Sequence, residues 1–351
     1  MRLLQILDGE EFGGISKLML EIGNNIKEDD IKIDYLSSKK IHNDIISLGI
    51  SRNTLLGKIK YNNKLYDYLK SNNYDIVHIN TGVFLFALQC VLISKKCNIK
   101  KIIVHSHSVP HVSIIKKKII NLLRNKLLKN IDIKLSCSKE AALSLYGTDK
   151  DVRIIKNGID IDKFKYNDKE RNKYRKKINI DNKKVYGHIG DFTKNKNYDF
   201  LIDIFYEIQK EEDAILLLIG NGELKEKIKE KVSKLNISSK VHFLGYREDI
   251  NKLLLCMDVF LFPSLHEGLG LVLIEAQTSG LPVLVSENIP EEANISNKFI
   301  RINSYEIKEW LKVIKKLKIT NRNNLYKNTI RNGYEIKQVS NIIKEIYKKC
   351  E

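Results

Sequence analysis

At 351 residues, 43% of them apolar, the chain is long enough for two packed domains and too apolar for disorder. Lys and Arg number 61 against 43 acids, a net charge of +18. No aromatic-rich basic module of the RNA-binding kind goes with that excess, so nucleic acid is not inferred as a partner.

Further exclusions come from the cysteines and the apolar runs. Cys90, Cys97, Cys137, Cys256 and Cys350 show neither C-x-x-C nor metal spacing and read as reduced thiols of a cytoplasmic protein. Arg2–Leu7 is too short for a signal peptide. Val83–Ile93, interrupted by Gln89, falls short of the ~20 residues of a spanning helix. The expectation is a soluble chain, at most peripheral to the inner face of the cell membrane.

Six β-type runs come first: Arg2–Leu7, Ile31–Leu36, Ile76–Ile79, Ile102–His105, Ile133–Ser136 and Val152–Ile155. Six more follow: Val185–Ile189, Ile215–Ile219, Val241–Leu244, Val259–Phe262, Val283–Ser286 and Phe299–Ile302. Continuous apolar runs alternating with helical patterns predict an α/β fold of parallel sheets covered on both faces. Two such series predict two Rossmann-like domains facing across a cleft. The expected division is 1–165, joined by a returning C-terminal helix at 335–351, and 166–334. Asp160–Lys184, polar and rich in Lys and Asn, is expected to link them, and residues after Ile319 to be helical and charged.

Ligands in doubly wound sheets bind beyond the carboxyl ends of the strands. The first strand leads into Asp8-Gly-Glu-Glu-Phe-Gly13-Gly14, where a double glycine lets backbone approach a ligand, although the dinucleotide pattern G-x-G-x-x-G is absent. A plain tight turn fits Gly13-Gly14 about as well. The fourth leads into His105-Ser-His107. The two histidines are expected to point to opposite sides, one of them structural, with His107 preferred for the cleft. No nearby Cys or acid completes a zinc set. Between Asp75 and Asp132 there is no acid, yet ten Lys or Arg occur, a field that attracts anionic headgroups or a diphosphate-linked substrate. Within it, Ser113–Lys129 places Ile115, Ile119, Leu122, Leu123 and Leu127 on one helical face. This is either a surface helix packed on its sheet or a contact with an anionic membrane. Asp160-x-Asp162 lies in a turn, not after a core strand, and is not read as a metal site.

In the second half, Val185–Ile189 runs into Gly190-Asp191-Phe192-Thr-Lys194-Asn-Lys196-Asn, a glycine turn with two lysines before a helix start, suited to phosphate. Gly220-Asn-Gly222 reads as flexible. Leu244-Gly245-Tyr246-Arg247 is a candidate edge where a base meets backbone. The stretch Phe262–Gly280, FPSLHEGLGLVLIEAQTSG, carries the densest signal. Two glycines, Gly268 and Gly270, precede a helix whose first amides, near Gly270–Val272, favour an anion. Glu267 stands in the loop. Glu275 lies one turn inside the helix, ~6 Å deeper, suited to accept hydrogen bonds from a ribose.

Together, Gly13-Gly14, His105-Ser-His107, Asn157-Gly-Ile-Asp160, Gly190 to Lys196-Asn197 and the Glu267 to Glu275 block resemble the retaining glycosyltransferases of family 4, especially bacterial capsular and exopolysaccharide transferases. The resemblance implies a GT-B architecture, an acceptor (a saccharide or a lipid-diphosphate-linked one) held by the first domain, and a nucleotide-sugar donor, UDP-linked, held mainly by the second. It implies that Lys196 neutralises the diphosphate and that Glu275 binds ribose. The amides near Gly270, Leu271 and Val272 meet phosphate or sugar, with Gly190, Lys194 and Tyr246 also on the donor. Glu267 touches donor sugar hydroxyls, His107 lies near the reacting sugar, and Gly14 lets its loop cover the diphosphate. His107, Lys196 and Glu267 are thus the catalytic candidates, and no cofactor or metal is expected. One position departs from the family. Asp191 stands where Arg is usual, so either Lys194 substitutes or leaving-group stabilisation is weaker. Two rival readings stand beside this one: another sugar-nucleotide enzyme such as an epimerase, and a non-catalytic basic binding protein.

Overall fold

The computed structural model describes residues 1–10, 13–26, 30–110, 113–317, 322 and 325–350. The chain divides into two compact units, Met1–Ile159 with Gly333–Glu351, and Asp160–Asn332.

In the first unit, strands β1 (Arg2–Leu7), β2 (Lys32–Ser37), β3 (Ile46–Ser47), β4 (Ile76–Thr81), β5 (Lys101–Ser106), β6 (Ile133–Ser136) and β7 (Arg153–Ile154) form a parallel sheet. Among the described residues their spatial order is β3-β2-β1-β4-β5-β6-β7. The centre reads as continuous apolar runs because both faces are covered: all six residues of β4 are buried. β3 was not expected, since two residues are too few to show a period. Helices α1 (Gly14–Ile26), α2 (Leu55–Ser71), α3 (Phe84–Lys96), α4 (Ile114–Leu128) and α5 (Lys139–Tyr146) connect the strands. α2 starts at Thr54, whose Oγ1 accepts from Gly57 N–H at 3.0 Å, and α5 at Ser138, whose Oγ accepts from Ala141 N–H at 3.1 Å.

The five apolar residues expected on one face of α4 separate into two groups. Leu127 is fully buried and Leu123 packs on the core, while Ile115, Ile119 and Leu122 are 75%, 47% and 83% exposed. At 3.6 residues per turn, Leu123 and Leu127 lie roughly a quarter to a third of a turn round from Ile115.

In the second unit, β8 (Lys184–Ile189), β9 (Ala214–Ile219), β10 (Val241–Gly245), β11 (Val259–Phe262), β12 (Val283–Ser286) and β13 (Phe299–Ile302) form a parallel sheet. The spatial order is β10-β9-β8-β11-β12-β13. Its helices are α6 (Ile161–Phe164), α7 (Asp168–Lys177), α8 (Tyr198–Glu211), α9 (Lys225–Lys234), α10 (Ile250–Cys256), α11 (Leu271–Thr278), α12 (Ile307–Lys316) and α13 (Tyr326–Arg331). The expected linker 160–184 is instead part of this unit. α6 packs on α10 and α11, and α7 on α10, with Ile161, Phe164 and Tyr174 buried. The first unit therefore ends at Ile159 rather than at 165.

α13 stays on α11, and only after Asn332 does the chain return to the first unit, where α14 (Ile336–Lys348) packs on α1. Its buried stripe is Ile336, Val339, Ile343, Ile346 and Tyr347, the i, i+3, i+7 spacing of an amphipathic helix. Ile319, the expected start of the C-terminal helical stretch, lies outside the described residues. Among the described residues no helix is long and apolar enough to cross a membrane.

In each sheet the strand order reverses once: between β1 and β4, and between β8 and β11. The loops after those four strands are the places where this architecture leaves a crevice for a ligand.

Candidate active site

The loop after β8 is built against the loop after β9. Gly190 N–H donates to Ile219 O at 2.9 Å, Phe192 N–H to Asn221 O at 2.8 Å, and Leu224 N–H to Phe192 O at 3.0 Å. A Cβ on Gly220 (φ +137°) would come within 2.0 Å of Gly190 O, and one on Gly222 (φ +153°) within 2.7 Å of Phe192 N. Gly220-Asn-Gly222, expected to be flexible, is thus a close backbone-to-backbone seam that glycine alone permits. Phe192 stacks on Tyr198 with centroids 4.0 Å apart, and the Tyr198 hydroxyl donates to Gly190 O at 2.6 Å. Asp191 and Lys194 are left exposed.

Lys196 ends a single turn of 3-10 helix, Lys194–Lys196, and points inward. Its stem lies against Gly190, where a Cβ would sit 3.0 Å from Cε. Its Nζ lies 4.8 Å above the Phe262 ring and 2.5 Å from Glu267 Oε1. Asn197 follows in a left-handed conformation (φ 53°, ψ 46°) and opens α8, a turn that Asn tolerates better than most residues.

The loop after β11 is tied to this turn chiefly through Asn195. Leu265 N–H donates to Asn195 O at 2.8 Å, His266 N–H to Asn195 Oδ1 at 3.1 Å, and Asn195 Nδ2 donates back to His266 O at 2.6 Å. Asn197 Nδ2 adds a bond to Pro263 O at 3.3 Å. The two loops flanking the point where strand order reverses are thereby locked together, which brings Lys196 onto Glu267. Gly270 then turns left-handed (φ 73°, ψ 65°) as the N-cap of α11, and no side chain caps the helix. The first-turn amides, those of Leu271 and Val272, are donors that a helix start leaves over. Both residues are half-buried, as is Glu275 one turn further in.

Beneath the pair sits His188, which no sequence pattern singled out. Its Nδ1 donates to Leu261 O at 2.8 Å, and its ring lies 4.9 Å from Tyr198 and 5.4 Å from Phe262. Burial pushes its pKa down to about 3, and the Lys196 ammonium adds to that. The imidazole is therefore a neutral floor under a cation. Tyr246 stands apart. It follows β10, two strands across from β8, with its ring 60% exposed.

Gly14 and His107 belong to the first unit. Among the described residues a Cβ on Gly13 or Gly14 would meet nothing within 4 Å, so packing against them does not demand glycine at either position. His105 and His107, expected on opposite sides, lie on the same side with ring centroids 3.9 Å apart, because residues two apart in a strand share a face. His105 stacks in turn on His78 at 5.6 Å. All three rings are buried, and burial pushes their pKa values down, to about 3 for His78 and about 4 for His107. Each nitrogen of His107 has a partner: Nε2 lies 3.1 Å from Asn80 Oδ1 and Nδ1 3.2 Å from Asn157 Oδ1. Among the described residues no three His, Cys, Asp or Glu side chains are grouped to hold a metal.

Two Rossmann-like units with parallel sheets in these strand orders are a GT-B architecture, and the family models make the class glycosyltransferase. The model of Glycosyltransferase Family 4 matches residues 12–163, and that of Glycosyl transferases group 1 matches residues 170–336. Between them they take in nearly the whole chain, which belongs to the group 1/family 4 glycosyltransferases. It is 27% identical over 99% of its length to the UDP-Gal:alpha-D-GlcNAc-diphosphoundecaprenol alpha-1,3-galactosyltransferase of Escherichia coli, of which it covers 95%. Among solved structures it resembles HepE of Anabaena in complex with UDP and glucose, with TM-score 0.81, 17% identity, and coverage of 99% and 100% of the two chains. It also resembles the lipopolysaccharide outer core galactosyltransferase WaaB in its apo form, with TM-score 0.67, 16% identity and coverage of 99% and 100%.

Proposed function

We propose that this glycosyltransferase moves a sugar, with retained configuration and without a metal, from a UDP-sugar to a saccharide or lipid-diphosphate-linked acceptor in capsular or exopolysaccharide synthesis. The observation that carries the reading is the Lys196–Glu267 pair, 2.5 Å across, beside the uncapped start of α11. The chemical demand is departure of a nucleoside diphosphate from an oxocarbenium-like centre. Lys196 and the amides of Leu271 and Val272 offset the charge that grows on the leaving phosphate, and the exposed Lys194 adds to them, a preorganised electrostatic field. Glu275 holds the ribose hydroxyls. Glu267, relieved of Lys196 when the diphosphate arrives, accepts from donor sugar hydroxyls. The departing phosphate oxygen takes the acceptor proton on the same face, so Glu267 is not assigned as nucleophile nor His107 as base. A glycosidase-type carboxylate pair is a poor fit, because Glu275 serves the ribose. The UDP and glucose in HepE and the UDP-Gal in the name of the E. coli relative support the choice of donor.

The acceptor side is assigned to the first unit. On α4, Ile115, Ile119 and Leu122 are exposed among Lys116, Lys117 and Lys118. We assign that face to the anionic inner leaflet, where a lipid-linked acceptor resides.

The test is thermal unfolding of the full chain with UDP, other nucleoside diphosphates and then UDP-sugars. Occupancy at one hundred times Kd stabilises by ~2.7 kcal/mol. A raised Tm with UDP and consumption of a UDP-sugar are expected. No shift with any nucleotide sinks the reading.

A further inference from the structure

The partners of His107 continue into a buried chain of hydrogen bonds whose polarity one atom decides. The amide nitrogen of Asn80 faces two acceptors, Gln5 Oε1 at 2.5 Å and the carbonyl oxygen of His78 at 3.3 Å. An amide oxygen in that position would confront a carbonyl, so the nitrogen belongs there. The other end of the amide, Oδ1, is then what His107 Nε2 meets at 3.1 Å, and an acceptor can be met only by N–H. Gln5 is held the same way. Its oxygen is taken by Asn80, so its Nε2 donates to the Tyr347 hydroxyl at 2.6 Å. That hydroxyl is left with its own proton, which it gives to His78 Nδ1 at 2.7 Å. Gln5, His78 and Asn80 are each no more than 1% exposed, and Tyr347 is fully buried.

We infer that Asn80 is a positioning residue for His107. The chain Tyr347–Gln5–Asn80 fixes the imidazole in the tautomer protonated at Nε2, so that Nδ1 is the atom it offers to a substrate hydroxyl. The inference rests on the reading of His107 as neighbour of the reacting sugar. The ring carries one proton only, because burial pushes its pKa down to about 4 and the neighbouring His105 ring is held neutral too. With Nε2 carrying that proton, Nδ1 has a lone pair. The Asn157 side chain, 3.2 Å away, then presents its amide nitrogen, since either end of an Asn amide fits the same outline. A sugar hydroxyl that takes the place of this amide finds an acceptor already aimed. A chain that merely filled the core would hold the ring in either tautomer.

The tautomer is read directly from long-range 1H–15N spectra of the full chain with labelled histidines at pH 7, His107 being assigned with His107→Gln. The expected wild-type pattern is Nε2 protonated and Nδ1 bare. Asn80→Asp places a carboxylate on Nε2 and is expected to raise the His107 titration midpoint by at least one pH unit. Tyr347→Phe, which keeps the ring but frees Gln5 to turn over, is expected to show a second tautomer. A wild-type ring protonated at Nδ1, or a spectrum and titration unmoved in both variants, overturns the inference. Full UDP-sugar consumption by His107→Ala would instead remove His107 from the reaction while leaving the tautomer result standing.

Discussion

Nζ of Lys196 and Oε1 of Glu267 stand 2.5 Å apart, their side chains 18% and 12% exposed, across the two loops that follow β8 and β11. On the proposed reading, each is the other's partner until a diphosphate competes for the ammonium. Lys196→Ala is expected to lower kcat/KM by ~10²-fold or more, the scale of losing one preorganised charge in a transition state. Glu267→Gln frees the ammonium and is expected to keep or tighten UDP binding while turnover falls. Calorimetric titration with UDP, set beside steady-state rates, separates the two. UDP affinity lost equally in both variants would mean that the pair serves only to join the loops.

The Gly220 seam makes a sharper structural prediction. Gly220→Ala is expected to cost ~2 kcal/mol or more, because φ is +137° and the methyl would meet Gly190 O at 2.0 Å. UDP affinity should fall with it, since the Gly190 loop has to move. Gly268→Ala meets nothing within 4 Å and is expected to change stability by no more than ~0.5 kcal/mol. Urea unfolding of both variants gives the comparison.

Acid should be felt early. His78, His105, His107 and His188 have folded-state pKa values depressed by burial, to about 3, about 4 and about 3 for His78, His107 and His188. Above the unfolded value near 6.5 the folded and unfolded rings are alike and contribute no pH dependence. As pH falls below it the unfolded chain binds protons that the folded one refuses. Stability then drops by about 1.4 kcal/mol per pH unit for each ring, until the folded rings of His78, His107 and His188 titrate near pH 3 to 4. Among the described residues neither nitrogen of His105 has a side-chain partner. His105→Leu should therefore make the fall shallower by one ring's share between pH 6 and 4.5. An unchanged slope in pH-dependent unfolding counts against this.

A cluster at the amino ends of the central strands β8 and β11, opposite the candidate site, carries stability. Asp258, ahead of β11, binds Arg171 at 2.6 Å and Arg175 at 3.3 Å and accepts from Val185 N–H at 2.8 Å. Arg322, half-buried beside them, has its pKa lowered to about 9, by desolvation first and by Arg171 next. Asp258→Ala leaves two nearly buried guanidinium groups without their carboxylate and is expected to cost about 3–5 kcal/mol. A Tm within a degree of wild type would contradict it.

For the α4 face, Leu122→Asp adds a carboxylate where the assigned leaflet is anionic and removes an 83% exposed leucine. Co-sedimentation with vesicles of phosphatidylcholine and phosphatidylglycerol should drop several-fold while Tm stays put. Equal sedimentation of both proteins, or of neither, argues against a membrane role for this face.

Much of this was legible beforehand. The twelve expected strands all occur because a parallel sheet covered on both faces writes itself as uninterrupted apolar runs. Lys196, Glu267 and the Gly270 turn were readable because glycine, charge and helix start fall within a few residues of a strand end. What escaped notice was held by distant partners. Asn195 joins two loops some seventy positions apart in the chain, and nothing near it announces that. His188 and Asn80 are polar residues set beside apolar ones in buried strands, a pattern shared by many satisfied core groups. The segment 160–184 looks like a linker for the converse reason. Its surface is polar and lysine-rich, and its hold on the second unit is made by a few buried residues, Ile161, Phe164 and Tyr174.

The return of α14 to the first unit imposes an order on synthesis. Tyr347, whose hydroxyl anchors Gln5 and His78, is synthesised after every residue of the second unit. The second unit is contiguous and needs nothing from α14 to complete its own sheet. The nascent first unit carries an uncovered flank of α1 until residues 336–347 emerge, and over that interval it is the part of the polypeptide that chaperones have reason to hold.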